Sequence, residues 1–126
     1  AVIAVGREAK PRFAERVIRA VSGSRDKEGR PRRRDFDSVF VSGDGSGVDS
    51  RVHAALEDVR MAPSSTNSQP WRATMFDGGR RVVFEAASSS SYTQTDMGIA
   101  LCHFALGLWP VRVGFESPMT AVVDLD

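Results

Sequence analysis

Between Met61 and Arg72 the chain reads Ala62-Pro63-Ser64-Ser65-Thr66-Asn67-Ser68-Gln69-Pro70-Trp71, and this stretch limits the fold more than any other. A proline fixes φ and removes a backbone donor, so a segment bracketed by two of them reads as a loop rather than a helix interior or a central strand. Four hydroxyls and two amides lie between Pro63 and Pro70, and an indole follows at once. A loop that cradles a planar ligand with a polar edge needs such short donors and acceptors close to its backbone. The alternative is a turn-rich connection in which the same Ser and Asn side chains serve only the local backbone.

The flanks of this loop are regular. Upstream, Val52, Ala55, Leu56 and Val59 recur at helical spacing behind Asp49 or Ser50, either of which supplies an N-cap oxygen. Downstream, residues 71–76 and 81–86 read as two strands joined by Asp77-Gly78-Gly79, a hairpin turn tolerant of positive φ. Trp71, at the head of this hairpin, is expected in the core because its large ring gains most from burial.

The remaining segments complete an α+β reading over a single domain of 126 residues. Residues 1–6 form a bare β-branched run expected to be a strand. Residues 10–22 place Phe13, Val17, Ile18 and Val21 on one helical stripe. Residues 25–34 are a polar, mostly basic decapeptide that cannot be core, and residues 35–41 return the chain to an apolar surface. A glycine-rich stretch at 42–47 is expected to be a mobile linker dividing the sequence. After a serine tract, Thr95 or Asp96 is expected to cap a helix whose residues 97–108 are apolar almost all round, which places it in the middle of the domain. Pro110 stops it, and residues 111–115 and 120–125 offer two further strands.

Charge and composition narrow the functional classes. A net charge of +1 provides no global field to recruit a nucleic-acid backbone, and the basic stretch lacks interleaved aromatics. The single cysteine, Cys102, excludes an internal disulfide and fits a reducing compartment, so a cytoplasmic location is expected. The longest apolar run, residues 99–110, is interrupted by His103 and too short to span a bilayer. His53 falls on the exposed side of its helix and His103 within the apolar one. Neither has the spaced partners of a metal site, so none is expected. Nucleophile triads and glycine-rich dinucleotide loops are also missing from the pattern.

Two segments carry a resemblance. Residues 60–72 resemble the flavin-contacting segment of the nitroreductase family, FMN-dependent enzymes that reduce nitroaromatics, quinones and related acceptors with NAD(P)H. Asp96-Met97-Gly98-Ile99-Ala100-Leu101-Cys102-His103-Phe104 is similar to the start of the long central helix in the internally duplicated, single-chain branch of that family. The resemblance implies a nitroreductase-like sheet with flanking helices and a buried central helix. It implies that Pro63, Ser64, Ser65 and Asn67 approach the flavin or its ribityl chain while Gln69 orders the loop. A basic segment of the family overlays Arg32-Arg33-Arg34-Asp35-Phe36-Asp37-Ser38-Val39, which points to Arg33 and Arg32 as ligands of the FMN phosphate. Guanidinium suits that role because its paired donors grip phosphate.

The cofactor carries the redox chemistry in this family, so no side chain here is expected to be an acid or base. The family's first, arginine-bearing segment has no counterpart in the sequence, so the chain is expected to correspond to the later portion of the fold. It would then work as a homodimer or with a missing N-terminal half. Two other classes stay open: a flavin-free remnant that binds a ligand or protein through the same pocket, and, less supported, a nucleic-acid binder using residues 30–34.

Overall fold

The computed structural model describes residues 30–125. The strand expected at residues 1–6 and the helix expected at 10–22 lie outside the described residues. The chain divides into two compact units, Ala1–Arg32 and Arg33–Asp126, and the architecture below belongs to the second.

Alternation builds the sheet. In β2 (Trp71–Phe76), Trp71, Ala73 and Met75 are buried and the residues between them are not. In β3 (Arg81–Ala86) the buried positions are Val82 and Phe84. A period of two sends one set of side chains to each face, so both strands carry one apolar and one open face. They pair antiparallel from Trp71↔Ala86 to Phe76↔Arg81, as the expected hairpin requires. β5 (Thr120–Leu125) pairs antiparallel with β3, and β4 (Val111–Ser117) pairs antiparallel with β5 at one edge. At the other edge the three-residue β1 (Phe40–Ser42) runs parallel to β2, giving the order β1-β2-β3-β5-β4.

Helices cover the apolar face. The short α1 (Phe36–Val39) leads into β1. α2 (Ser50–Met61) begins where the cap signal places it, with the Asp49 carboxylate accepting from the Arg51 N–H at 2.8 Å. Its buried stripe is Val52, Ala55, Leu56 and Val59. α3 (Thr93–Leu108) packs along α2 and onto the sheet, where the Phe104 ring meets Phe84 edge-to-face at 5.1 Å. Gly107 permits that close helix contact, since a Cβ there would lie 3.1 Å from the Ala55 Cβ. The result is a two-layer α+β unit of five strands and three helices, the class the sequence predicts.

Two local expectations are corrected, and the glycine-rich stretch takes a definite form. α3 is not buried all round: Met97, Ala100, Leu101 and Phe104 face the core, whereas Leu106 is 75% exposed and Cys102 is also exposed. Nor does Thr95 or Asp96 cap it. The helix starts at Thr93, with Tyr92 in the cap position making no side-chain bond. Residues 42–47 are a hydrogen-bonded turn: Asp44 accepts from the Ser46 N–H at 2.9 Å and from the Asp77 N–H at 2.7 Å.

Candidate functional site

The loop that follows α2 folds on itself. Ala62 closes the helix with its N–H on the Val59 carbonyl, and a single tight turn spans Ser65–Asn67. The Asn67 N–H reaches the Ser64 carbonyl and the Ser68 N–H reaches the Ser65 carbonyl, both at 3.0 Å. The Ser64 Oγ accepts from the Gln69 N–H at 2.9 Å. To close this path the backbone turns left-handed at Thr66 (φ 52°), Asn67 (φ 56°) and Gln69 (φ 47°), none of them glycine. Such residues cost about 1 to 3 kcal/mol each and persist only where their surroundings hold them.

Two distant elements hold them here. The carboxylate of Asp96, in the first turn of α3 and 1% exposed, accepts from the Ser65 N–H at 2.9 Å and from the Ser68 hydroxyl at 3.3 Å. On the other side Arg33 donates to the Asn67 Oδ1 and, at 3.0 Å, to the Met61 carbonyl. Gln69, 6% exposed, joins the two sides. Its Oε1 accepts from the Arg34 N–H at 2.9 Å and its Nε2 donates to the Asn67 carbonyl at 3.2 Å.

This bracing leaves a cationic corner beside the loop. Partial burial, and then the positive charge of Arg60, lower the Arg33 pKa from its ordinary value, although a guanidinium stays charged at any working pH. Arg60 is tied to Glu57 of its own helix, whereas no carboxylate among the described residues pairs with Arg33. The Arg33 Nε is buried without a partner, and of the two Nη groups one has given a hydrogen to Asn67 of the loop and the other a hydrogen to Met61 at the end of α2. A half-buried guanidinium with spare donors and no counter-charge suits an anion.

Five of the residues singled out in the sequence, Ser64, Ser65, Asn67, Gln69 and Arg33, therefore form one hydrogen-bonded cluster, with Pro63 exposed at its rim. Arg32 belongs to the other compact unit. His103 is half-buried on α3, and among the described residues no group of three His, Cys, Asp or Glu is placed to hold a metal ion. Also among them, no helix is long and apolar enough to cross a membrane. A cavity of about 510 Å3 opens at the other end of α2, lined by Gly47, Asp49, Arg51, Gly78 and Arg80 among others, and includes none of the loop residues. Asp96 is the residue that linear reading misassigned. Only its place at the start of an apolar helix marks it, and its partner lies 31 positions away.

Comparison with known proteins gives the family and the fold. The family described as "Putative TM nitroreductase" matches residues 1–108. A crystal structure of a "putative nitroreductase" from Thermotoga maritima aligns with a TM-score of 0.59 at 20% identity, over 77% of this chain and 46% of that one. The chain thus spans less than half the length of this structural relative, which at such identity attests the fold alone. No curated protein matches. With its family pattern running through both the braced loop and the whole of α3, the chain belongs to this nitroreductase family.

Proposed function

We propose that the chain is the flavin-edge portion of an FMN-dependent oxidoreductase, with the loop of residues 63–70 as one wall of the cofactor site. The observation that carries this reading is the strained loop itself: three left-handed residues other than glycine, braced by Asp96 and Arg33. Backbone strain of this kind concentrates at ligand clamps, where a fixed shape matters more than local stability.

The residues present fit the group. Arg33 would hold the phosphate with its remaining Nη hydrogens, and Arg32, next in sequence, is the second candidate for it. Pro63, Ser64, Ser65 and Asn67 would line the ring and ribityl chain. Gln69 keeps the loop shape instead of touching the ligand. When bound, FMN supplies hydride exchange between NAD(P)H and an acceptor such as a nitroaromatic or a quinone. The chain's own contribution is position and electrostatics, with no acid or base among these side chains. A second copy or a further segment would complete the site, and the lone cysteine fits work in a reducing cytoplasm.

A second reading, a flavin-free binding module, draws on the same geometry. The Ser65 N–H, the Ser64 Oγ and the Asn67 Oδ1 are all engaged within the protein, which fewer ligand-directed bonds would explain equally. Absorbance separates the two. Purified protein titrated with FMN and passed through a desalting column should stay yellow and bleach on adding NADPH, and Arg33→Ala should lose the colour. Protein that elutes colourless at every FMN concentration overturns the oxidoreductase reading in favour of the binding module.

A further inference from the structure

The outer edge of the sheet points to a contact that the flavin reading does not involve. Of the seven exposed large apolar side chains among the described residues, four, Leu106, Trp109, Val113 and Phe115, fall on the end of α3 and on β4. β4 is also the least covered strand: after the half-buried Val111, every residue to Ser117 is exposed. Among the described residues no strand pairs with its outer side. An edge strand presents a row of unpaired N–H and C=O groups that can template another strand, and its charges and irregularities limit which strand fits.

The register of the sheet says which strand fits. Lateral rows run through Val82, Val123 and Val113, and through Phe84, Ala121 and Phe115, so the apolar face continues out to the edge. On the opposite face Arg81 lies across from Asp124 and Asp124 across from Arg112, an alternating row of charges that ends at the edge on a cation. Glu116, at the irregularity of β4, has no register partner on β5, and its side chain lies on this same charged face, 4.0 Å from Arg81.

We propose that β4 pairs antiparallel with β4 of a second copy of this chain, about a two-fold axis at Gly114. Pairing about Gly114 sets Arg112 of each copy opposite Glu116 of the other, which extends the alternating row by an anion. It also sets Val113 opposite Phe115, which extends both apolar rows. Directly opposed residues in an antiparallel pair are close enough for these cross-strand pairs to act, favourably for opposite charges and unfavourably for like ones. Gly114 suits the axis, because nothing crowds it closer than the Val122 carbonyl at 4.0 Å from a built Cβ.

Light scattering on the eluted 126-residue chain tests the pairing. The wild type should have twice the chain mass at tens of micromolar. Glu116→Arg and Arg112→Glu should each run as monomers, because each places like charges opposite one another twice. An equimolar mixture of the two variants should recover the double mass, since every cross-strand pair is then complementary. This recovery distinguishes pairing from misfolding, and circular dichroism of each variant checks the fold separately. As an independent arm, Gly114→Cys in a Cys102→Ser background should cross-link to a dimer with a short bismaleimide. A monomeric wild type, a dimer indifferent to both charge reversals, or a Gly114→Cys variant that does not cross-link overturns the proposal.

Discussion

Two loops of this protein reach similarly tight turns by opposite means. Residues 42–47 put their left-handed backbone on Gly45 (φ 73°), where no Cβ opposes it, and close through Asp44, which binds Ser42 and Ser46 two residues away and also the Asp77 N–H of the hairpin turn. Residues 63–70 put theirs on Thr66, Asn67 and Gln69 and need Arg33 and Asp96, some thirty positions away on either side. The first loop also leans on the hairpin turn at Asp77, but a glycine takes its left-handed position, so it holds no strained residue. The second is shaped by the rest of the fold, which is the arrangement expected when a particular surface, rather than a mere connection, is required.

Removing a brace should expose the contrast most. Asp96→Ala leaves the Ser65 N–H and the Ser68 hydroxyl without their acceptor, and unfolding by urea should show a loss of about 2 to 3 kcal/mol. Amide exchange at residues 65–69 should accelerate well beyond that at the turn of residues 42–47. An unchanged exchange pattern would mean that the loop holds its own shape. Arg33→Ala should cost less, about 1 to 2 kcal/mol, because the site is only partly buried. FMN retention, if Arg33 meets phosphate, should fall further than that stability loss accounts for.

Exchanging residue types between the loops gives smaller effects of opposite sign. Gly45→Ala has open space around it, so only backbone strain opposes it and about 1 kcal/mol of stability should be lost. Thr66→Gly relieves comparable strain but adds freedom to the unfolded chain, leaving a net gain of about 0.5 kcal/mol or less. Equal losses in both variants would remove the distinction drawn between the loops. The smallest effect is acid sensitivity of the glycine turn. Bonds from the Ser46 hydroxyl, then from the Asp77 and Ser46 N–H groups, hold the Asp44 pKa below its ordinary value of 3.8. The folded state therefore favours the carboxylate, so its contribution is complete above about pH 4 and fades as pH falls below that value. Asp44→Asn should flatten a shallow acid limb of the melting curve and change little at pH 7.

Sequence pattern reaches far in the regular elements. Alternation and Asp77-Gly78-Gly79 are sufficient for the β2–β3 hairpin, and the Asp49 cap with its apolar stripe is sufficient for α2. These signals are local, and local rules read them. α3 shows where such rules stop: its apolar residues run all round, so hydrophobicity alone does not say which stripe meets the sheet or that Leu106 stays outside. Asp96 has the composition of a cap and the function of a brace, because the helix begins three residues before it and its carboxylate instead takes the part-buried Ser65 N–H thirty-one residues upstream. In the loop, the hydroxyl-rich composition was legible and Asn67 tolerates a left-handed turn, whereas the left-handed backbone at Thr66 and Gln69 was not legible, since neither residue type favours it without the braces.

The helix that presents Asp96 to the loop also carries Leu101 and Phe104 into the interior, on one rigid rod. A slide of that rod by a single turn, about 5.4 Å, would withdraw the carboxylate from Ser65 entirely. The fit of Phe104 against Phe84 is thus a ruler for the loop: how well two rings nest deep in the protein sets how accurately a surface segment is drawn.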